Sequence, residues 1–189
     1  MDGINGITGG YSLVVLLALW GINAWVIQIA PAGFIPVVIL SLLVFNFYNF
    51  RTHARCFSGD VGAVAIAFIL LFLLGTFIMR TGEISVLILL GVYGVDGVLT
   101  IIHRLMLKEN IGQPHRKHLY QLLANEAKIP HLSVSFFYMA TQALVGGGYL
   151  LVLKYAPAYT LFYAIVSLVV LVAVYLPLRR KYYALLEEK

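Results

Sequence analysis

Residues 57–80 read FSGDVGAVAIAFILLFLLGTFIMR, and between Asp60 and Arg80 no charged side chain occurs. A run of about 18 such residues, wound as a helix, spans most of a bilayer core of roughly 30 Å. A membrane-spanning strand would alternate apolar and polar side chains, and this stretch does not. The same pattern recurs along the chain. The apolar runs at 11–29, 33–49, 62–79, 84–102, 133–153 and 157–176 predict six transmembrane helices. Residues 1–189 are therefore read as one integral membrane domain, an all-α polytopic helix bundle.

Composition agrees. A soluble domain carries about a quarter charged residues. This chain is 11% charged and 61% hydrophobic, with a mean hydropathy of +0.93. Its net charge of +5 would point to nucleic acid in a soluble protein. Here the cations sort by loop instead, which argues against nucleic acid as a partner. Arg51, Arg55, Arg104, Lys108, Arg116, Lys117, Lys128, Arg179, Arg180, Lys181 and Lys189 fall in alternate connections, leaving Arg80 and Lys154 on the other side. Basic residues mark cytoplasmic loops. Both termini are thus expected in the cytoplasm, with the protein multi-pass in the inner (cytoplasmic) membrane. The opening residues lack the positive n-region of a signal peptide. Cys56 is the single cysteine and has no partner for a disulfide or a CxxC site.

Three motifs fall on the basic side. In the first, Phe57–Gly62, Ser58 is placed to cap the third helix. Asp60 lies near that helix's positive end, where an anion is favoured. A hard carboxylate beside a phosphate-friendly helix start suits Mg²⁺, which takes one or two carboxylates plus substrate phosphates. The alternative is a turn residue that only stabilises the helix dipole. In the second motif, PHRKHLYQ (114–121), His115 and His118 share a face if the stretch is helical. Arg116 and Lys117 add donors for phosphate, and the alternative is a solvated loop serving topology alone. The whole stretch 115–129 is expected to form a short amphipathic helix lying at the interface. The third is the glycine-rich opening MDGINGITGG, read as a ligand-contacting turn. Asp96, inside the fourth run, is a functional candidate by its position; pairing with Arg104, His103 or a backbone donor is the alternative. Gly146, Gly147 and Gly148 are expected to let helices pack closely.

Taken in order, these segments resemble the polyprenyl-phosphate N-acetylhexosamine-1-phosphate transferases, the MraY/WecA-like group of glycosyl transferase family 4. MDGINGITGG resembles the family's "NFMDGxDG" segment, and FSGDVG its "FMGDxGS" segment. Asp96 followed by His103 and Arg104 resembles its "D…RR" helix. PHRKHLYQLL resembles the "HRxHLYQ" form of its histidine motif, found in the branch that uses N-acetylhexosamine donors.

The resemblance implies a Mg²⁺-dependent transfer of a sugar-1-phosphate from a UDP-N-acetylhexosamine to a polyprenyl phosphate, releasing UMP. It implies Asp60 as metal ligand, and His115 and His118 with Asp60 as the catalytic set. It implies that Asp2, Asn5 and Arg116 bind substrate. A homodimer is compatible with it. The family's second Asp of "DGxDG" is Asn5 here, and Met1 falls on the Met of "NFMDG". The chain is accordingly expected to correspond to the C-terminal portion of such an enzyme, and to insert alone without transferring sugar phosphate.

Overall fold

The computed structural model describes residues 3–113 and 116–187. Among them the fold is helical throughout, with no strand. The helices are α1 (Ile7–Trp25), α2 (Phe34–Asn49), α3 (Gly59–Thr81), α4 (Gly91–Met106), a short α5 (Leu119–Gln121), α6 (His131–Tyr155) and α7 (Thr160–Glu187). A 3-10 segment, Ile84–Leu90, leads into α4 and completes that crossing. Five of the six apolar units are long enough to span a bilayer by length and composition; α2, with 16 residues, is the shorter one.

The boundaries shift for physical reasons. The first helix covers 7–25 rather than 11–29. Asn23 Oδ1 accepts the backbone N–H groups of Ile29 (2.7 Å) and Ala30 (2.8 Å), which folds 26–30 back as a turn. The last helix runs past residue 176, through Pro177. It stays docked on α4, because Arg179 Nη1 donates to the Leu99 carbonyl at 2.7 Å.

The break before α4 frees backbone groups in a region without water, and these must find partners. Gln142 Oε1 accepts the Val92 N–H at 3.2 Å, and its Nε2 donates to the Ile88 carbonyl at 3.3 Å. Tyr11 Oη donates to Gln142 Oε1 at 2.7 Å and accepts the Tyr93 N–H at 3.4 Å. The Tyr11 and Tyr93 rings stack with centroids 3.6 Å apart.

The glycines of the opening motif serve packing. Gly9 and Gly10 lie inside α1, not in a ligand-contacting turn. A Cβ on Gly9 would stand 2.3 Å from Asn46 Oδ1 on α2, and one on Gly10 would stand 2.4 Å from Met139 Sδ on α6. Gly148 does the same for α6 and α7, with Tyr163 Oη 2.2 Å from its virtual Cβ, whereas Gly147 faces open space.

Two apolar layers fill the bundle. One, around Leu16, Leu19, Leu73, Phe77, Leu89 and Tyr149, lies away from the basic loops. The other, around Ile7, Val95, Leu119, Tyr120, Tyr138 and Tyr175, lies at the basic end. The predicted interfacial amphipathic helix is instead folded into this second layer. Only α5 and a π-helical turn, Leu122–Glu126, form there, and Leu119 through Ala124 are buried. The cause is a carboxylate inside the bundle, Asp96, that binds the segment's backbone.

Candidate active site at the basic end

The segment Gly3–Gly6 is the meeting point of the motifs. Asn5 Nδ2 donates to the carbonyls of Arg51 (2.9 Å) and Thr52 (3.1 Å). The Asn5 N–H reaches His131 Nδ1 at 3.5 Å, and Ser135 Oγ donates to the Asn5 carbonyl at 2.8 Å. Gly6 N–H donates to Asn49 Oδ1 at 2.8 Å, while Asn49 Nδ2 donates to the Cys56 carbonyl at 2.7 Å. Gly6 has φ 82°, a left-handed conformation that a side chain disfavours. Gly3 passes against the histidine motif: a Cβ there would lie 3.0 Å from Gln121 Nε2 and 3.1 Å from Tyr120 Oη. The loop before α3, the start of α6 and the histidine motif are thereby tied to one short stretch of chain.

Asp60 sits in the first turn of α3, exposed, and forms no ion pair among the described residues. Ser58 holds the N-cap position but makes no side-chain capping hydrogen bond. One and two turns on, Ala63 and Ala67 share Asp60's helix face. They line a groove of about 310 Å³ between α1 and α3, with Thr8, Tyr11, Ser12 and Tyr93 opposite. The carboxylate lies one helical turn before Ala63, the first α3 residue to line this largely apolar groove.

His118 anchors the second motif. It is half-buried, its Nδ1 is 3.5 Å from Asp96 Oδ1, and its ring stacks on Tyr120 with centroids 5.6 Å apart. Asp96 is only 1% exposed. Its Oδ1 accepts the Leu119 N–H at 2.9 Å and the Tyr175 hydroxyl at 3.1 Å, and its Oδ2 accepts the Tyr138 hydroxyl at 2.8 Å. This satisfies the charge as a buried carboxylate requires. Of the alternatives raised by sequence, a backbone donor in the bundle is the partner; Arg104 turns elsewhere.

Arg104 is buried and binds Glu109 Oε2 at 3.1 Å and the carbonyls of Asn110, Ile111 and Gln113. Lys117 closes on the same Glu109. That bond lowers the Glu109 pKa from its ordinary value, with Arg104 adding to the effect, and raises that of Lys117. Lys117 is thus a loop clamp. Arg116 is exposed to solvent. Asp2 and His115 lie outside the described residues.

Sequence reasoning missed Asn49, His131, Gln142 and Glu109. Gln142 and Tyr138 carried a signal, since polar side chains inside an apolar run need partners. Glu109 lies in a polar loop, and Asn49 and His131 sit at helix ends, where nothing in the residue pattern distinguishes them.

Metal fit follows from the donors present. Among the described residues no group of three His, Cys, Asp or Glu side chains could hold an ion. One exposed carboxylate at a helix start does suit Mg²⁺ carried largely by substrate phosphates.

The sequence profile of glycosyl transferase family 4 matches residues 1–78. A curated relative, the probable undecaprenyl-phosphate N-acetylglucosaminyl 1-phosphate transferase of Bacillus subtilis (strain 168), is 30% identical over 145 residues. That alignment takes in 74% of this chain and 40% of the relative, so the chain spans about two-fifths of the relative's length. No solved structure matches. The profile covers the opening motif and the Asp60 loop, the relative most of the chain, and together they show that this multi-pass membrane protein belongs to glycosyl transferase family 4.

Proposed function

We propose that the basic end transfers N-acetylhexosamine-1-phosphate from a UDP-sugar to a polyprenyl phosphate, in the synthesis of a cell-envelope polysaccharide or peptidoglycan precursor. The observation that carries this reading is the convergence on Gly3–Gly6: its hydrogen bonds and close contacts join the Asp60 loop, the histidine motif and α6 at one end of a membrane bundle. A lipid acceptor needs its phosphate at the membrane surface and its chain in an apolar trench. The α1–α3 groove, one helical turn from Asp60, has that form.

In this reading an oxygen of the acceptor phosphate attacks the β-phosphorus of the UDP-sugar. The new P–O bond forms as the bond to the UMP oxygen breaks, and UMP leaves with that electron pair. Such transfers depend mainly on positioning and charge stabilisation. Asp60 would hold Mg²⁺, which supplies charge neutralisation at the diphosphate. Arg116 and His118 offer donors on the facing segment, with His118 held by Asp96. His115 and Asp2 complete the proposed set from sequence. The basic end faces the cytoplasm, where the nucleotide sugar would be met.

The test follows UMP release in membranes, with the chain in a full-length context, given a UDP-N-acetylhexosamine, polyprenyl phosphate and Mg²⁺. Release should be lost on chelation and in Asp60→Asn, with membrane insertion unchanged. Loss of one anionic ligand would raise the barrier by several kcal/mol. Asn-variant turnover near that of the parent would overturn the assignment.

A further inference from the structure

The face between α4 and α7 carries a second groove, whose basic end holds no residue of the proposed catalytic and binding set. Its outer part, about 530 Å³, is walled by Leu87, Val95 and Val98 on one side and Leu161, Ile165 and Leu168 on the other. At Leu99 it continues into a part of about 480 Å³ at the basic end, where His103, Arg179, Arg180 and Tyr183 replace the aliphatic walls.

Arg179 is the unusual group. It is 6% exposed, yet its Nε and Nη2 are buried without a hydrogen-bond partner among the described residues. Only Nη1 is used, on the Leu99 carbonyl. The guanidinium lies 5.9 Å from the ring centroids of both Tyr175 and Tyr183. Two unfilled donors of a fixed cation, buried at the wall of a groove, match one anion presenting two acceptor oxygens. Arg180, exposed beside it, and Lys181 on the next position extend the positive charge.

We infer that the α4–α7 groove is a binding site for an anionic phospholipid, its phosphate on Arg179 and Arg180 and an acyl chain in the apolar trench below. Charge complementarity selects the headgroup, and the continuity of the two parts selects a lipid over a free anion. A basic cluster at a helix's membrane boundary attracts such headgroups; the buried, half-satisfied guanidinium makes this one a shaped site.

The experiment is lipid retention, read independently of turnover. The purified chain is exchanged into detergent with equal phosphatidylglycerol and phosphatidylcholine, passed through gel filtration, and the retained lipid counted by mass spectrometry. Phosphatidylglycerol should be held about tenfold over phosphatidylcholine: both phosphates can accept from Arg179, but the choline ammonium cancels the net charge that Arg180 and Lys181 attract. Arg179→Gln should abolish the preference. Because that change also touches the Leu99 bond, the double variant His103→Gln/Arg180→Gln serves as the second arm; it should lower the preference several-fold with an unchanged melting temperature. Equal retention of the two lipids would overturn the inference. So would a preference that survives both variants, one abolished by millimolar inorganic phosphate, or one replaced by stoichiometric retention of added polyprenyl phosphate.

Discussion

Asp96 Oδ1 lies 3.5 Å from His118 Nδ1 and 2.9 Å from the N–H of Leu119. One buried carboxylate thus holds the histidine motif by both a side chain and the adjacent backbone. Tyr138 and Tyr175 bring α6 and α7 to the same group. Asp96 is accordingly a positioning residue for the basic end.

Asp96→Ala leaves the Leu119 N–H and the Tyr138 hydroxyl buried without their acceptor, each costing about 1–3 kcal/mol. The melting temperature should fall markedly, with turnover falling alongside. His118→Ala removes a half-buried ring and should lower turnover while changing the melting temperature little. Equal melting temperatures for the two variants would show that Asp96 does not organise the fold.

The junction between the 3-10 segment and α4 gives a graded test. Tyr11→Phe removes one hydroxyl, and Gln142 keeps its bonds to Val92 and Ile88; a loss of about 0.5–2 kcal/mol is expected. Gln142→Leu strands the Val92 N–H, the Ile88 carbonyl and the Tyr11 hydroxyl together and should cost more. Unfolding in mixed detergent ranks them. A smaller effect for Gln142→Leu would place the satisfaction of the break elsewhere.

The apolar runs made six helical units legible, five of them long enough to span a bilayer, because burial in lipid leaves a compositional mark on every residue. Boundaries set by single side chains were not legible in that way. Asn23 ends α1 and Asp96 draws 118–124 inward, and neither changes the average polarity of its run. As candidates only, Asp60, Asn5 and His118 were legible by resemblance. What each does locally was not, because hydrogen bonds such as that from Asn5 to Arg51 link positions far apart in the chain.

The Arg104–Glu109–Lys117 clamp predicts a pH window. The Glu109 pKa is lowered chiefly by its bond to Lys117. That contribution is complete above the unfolded carboxyl pKa and is lost as pH falls through the folded value. The Lys117 pKa is raised by the same bond, so its contribution is complete below the unfolded ammonium pKa and lost as pH rises through the folded one. Amide-exchange protection of residues 109–113, corrected for intrinsic rate, should be greatest at intermediate pH and fall on both limbs. Glu109→Gln should flatten the acid limb; an unchanged acid limb would show that Glu109 is not the group that titrates there.

Helix contact between α6 and α7 separates two adjacent glycines. Gly148→Ala would drive a methyl into Tyr163, whose hydroxyl donates to the Val145 carbonyl at 2.9 Å. Overpacking of this kind costs about 1–3 kcal/mol. Gly147→Ala meets open space and should be neutral or stabilising, through helix propensity worth up to about 1 kcal/mol. Similar melting temperatures for the two would mean that the helices do not approach as closely as Gly148 permits.

Asn5 stands where the family's opening motif has a second Asp, and its contacts give a reason. Both acceptors near its side chain, the carbonyls of Arg51 and Thr52, need donors. An amide nitrogen supplies two N–H groups; an ionised carboxylate supplies none. Asn5→Asp would replace two hydrogen bonds with the repulsion of a carboxylate facing two carbonyl oxygens. A loss of about 1–3 kcal/mol is expected, together with release of the loop before α3 that carries Asp60. Limited proteolysis within 50–58 should accelerate, and the melting temperature should drop. Asn5→Ala should loosen the same loop but less, because it adds no charge. If Asn5→Asp instead kept the loop protected and raised turnover, the side chain would face the nucleotide or metal, and its contacts with Arg51 and Thr52 would be incidental.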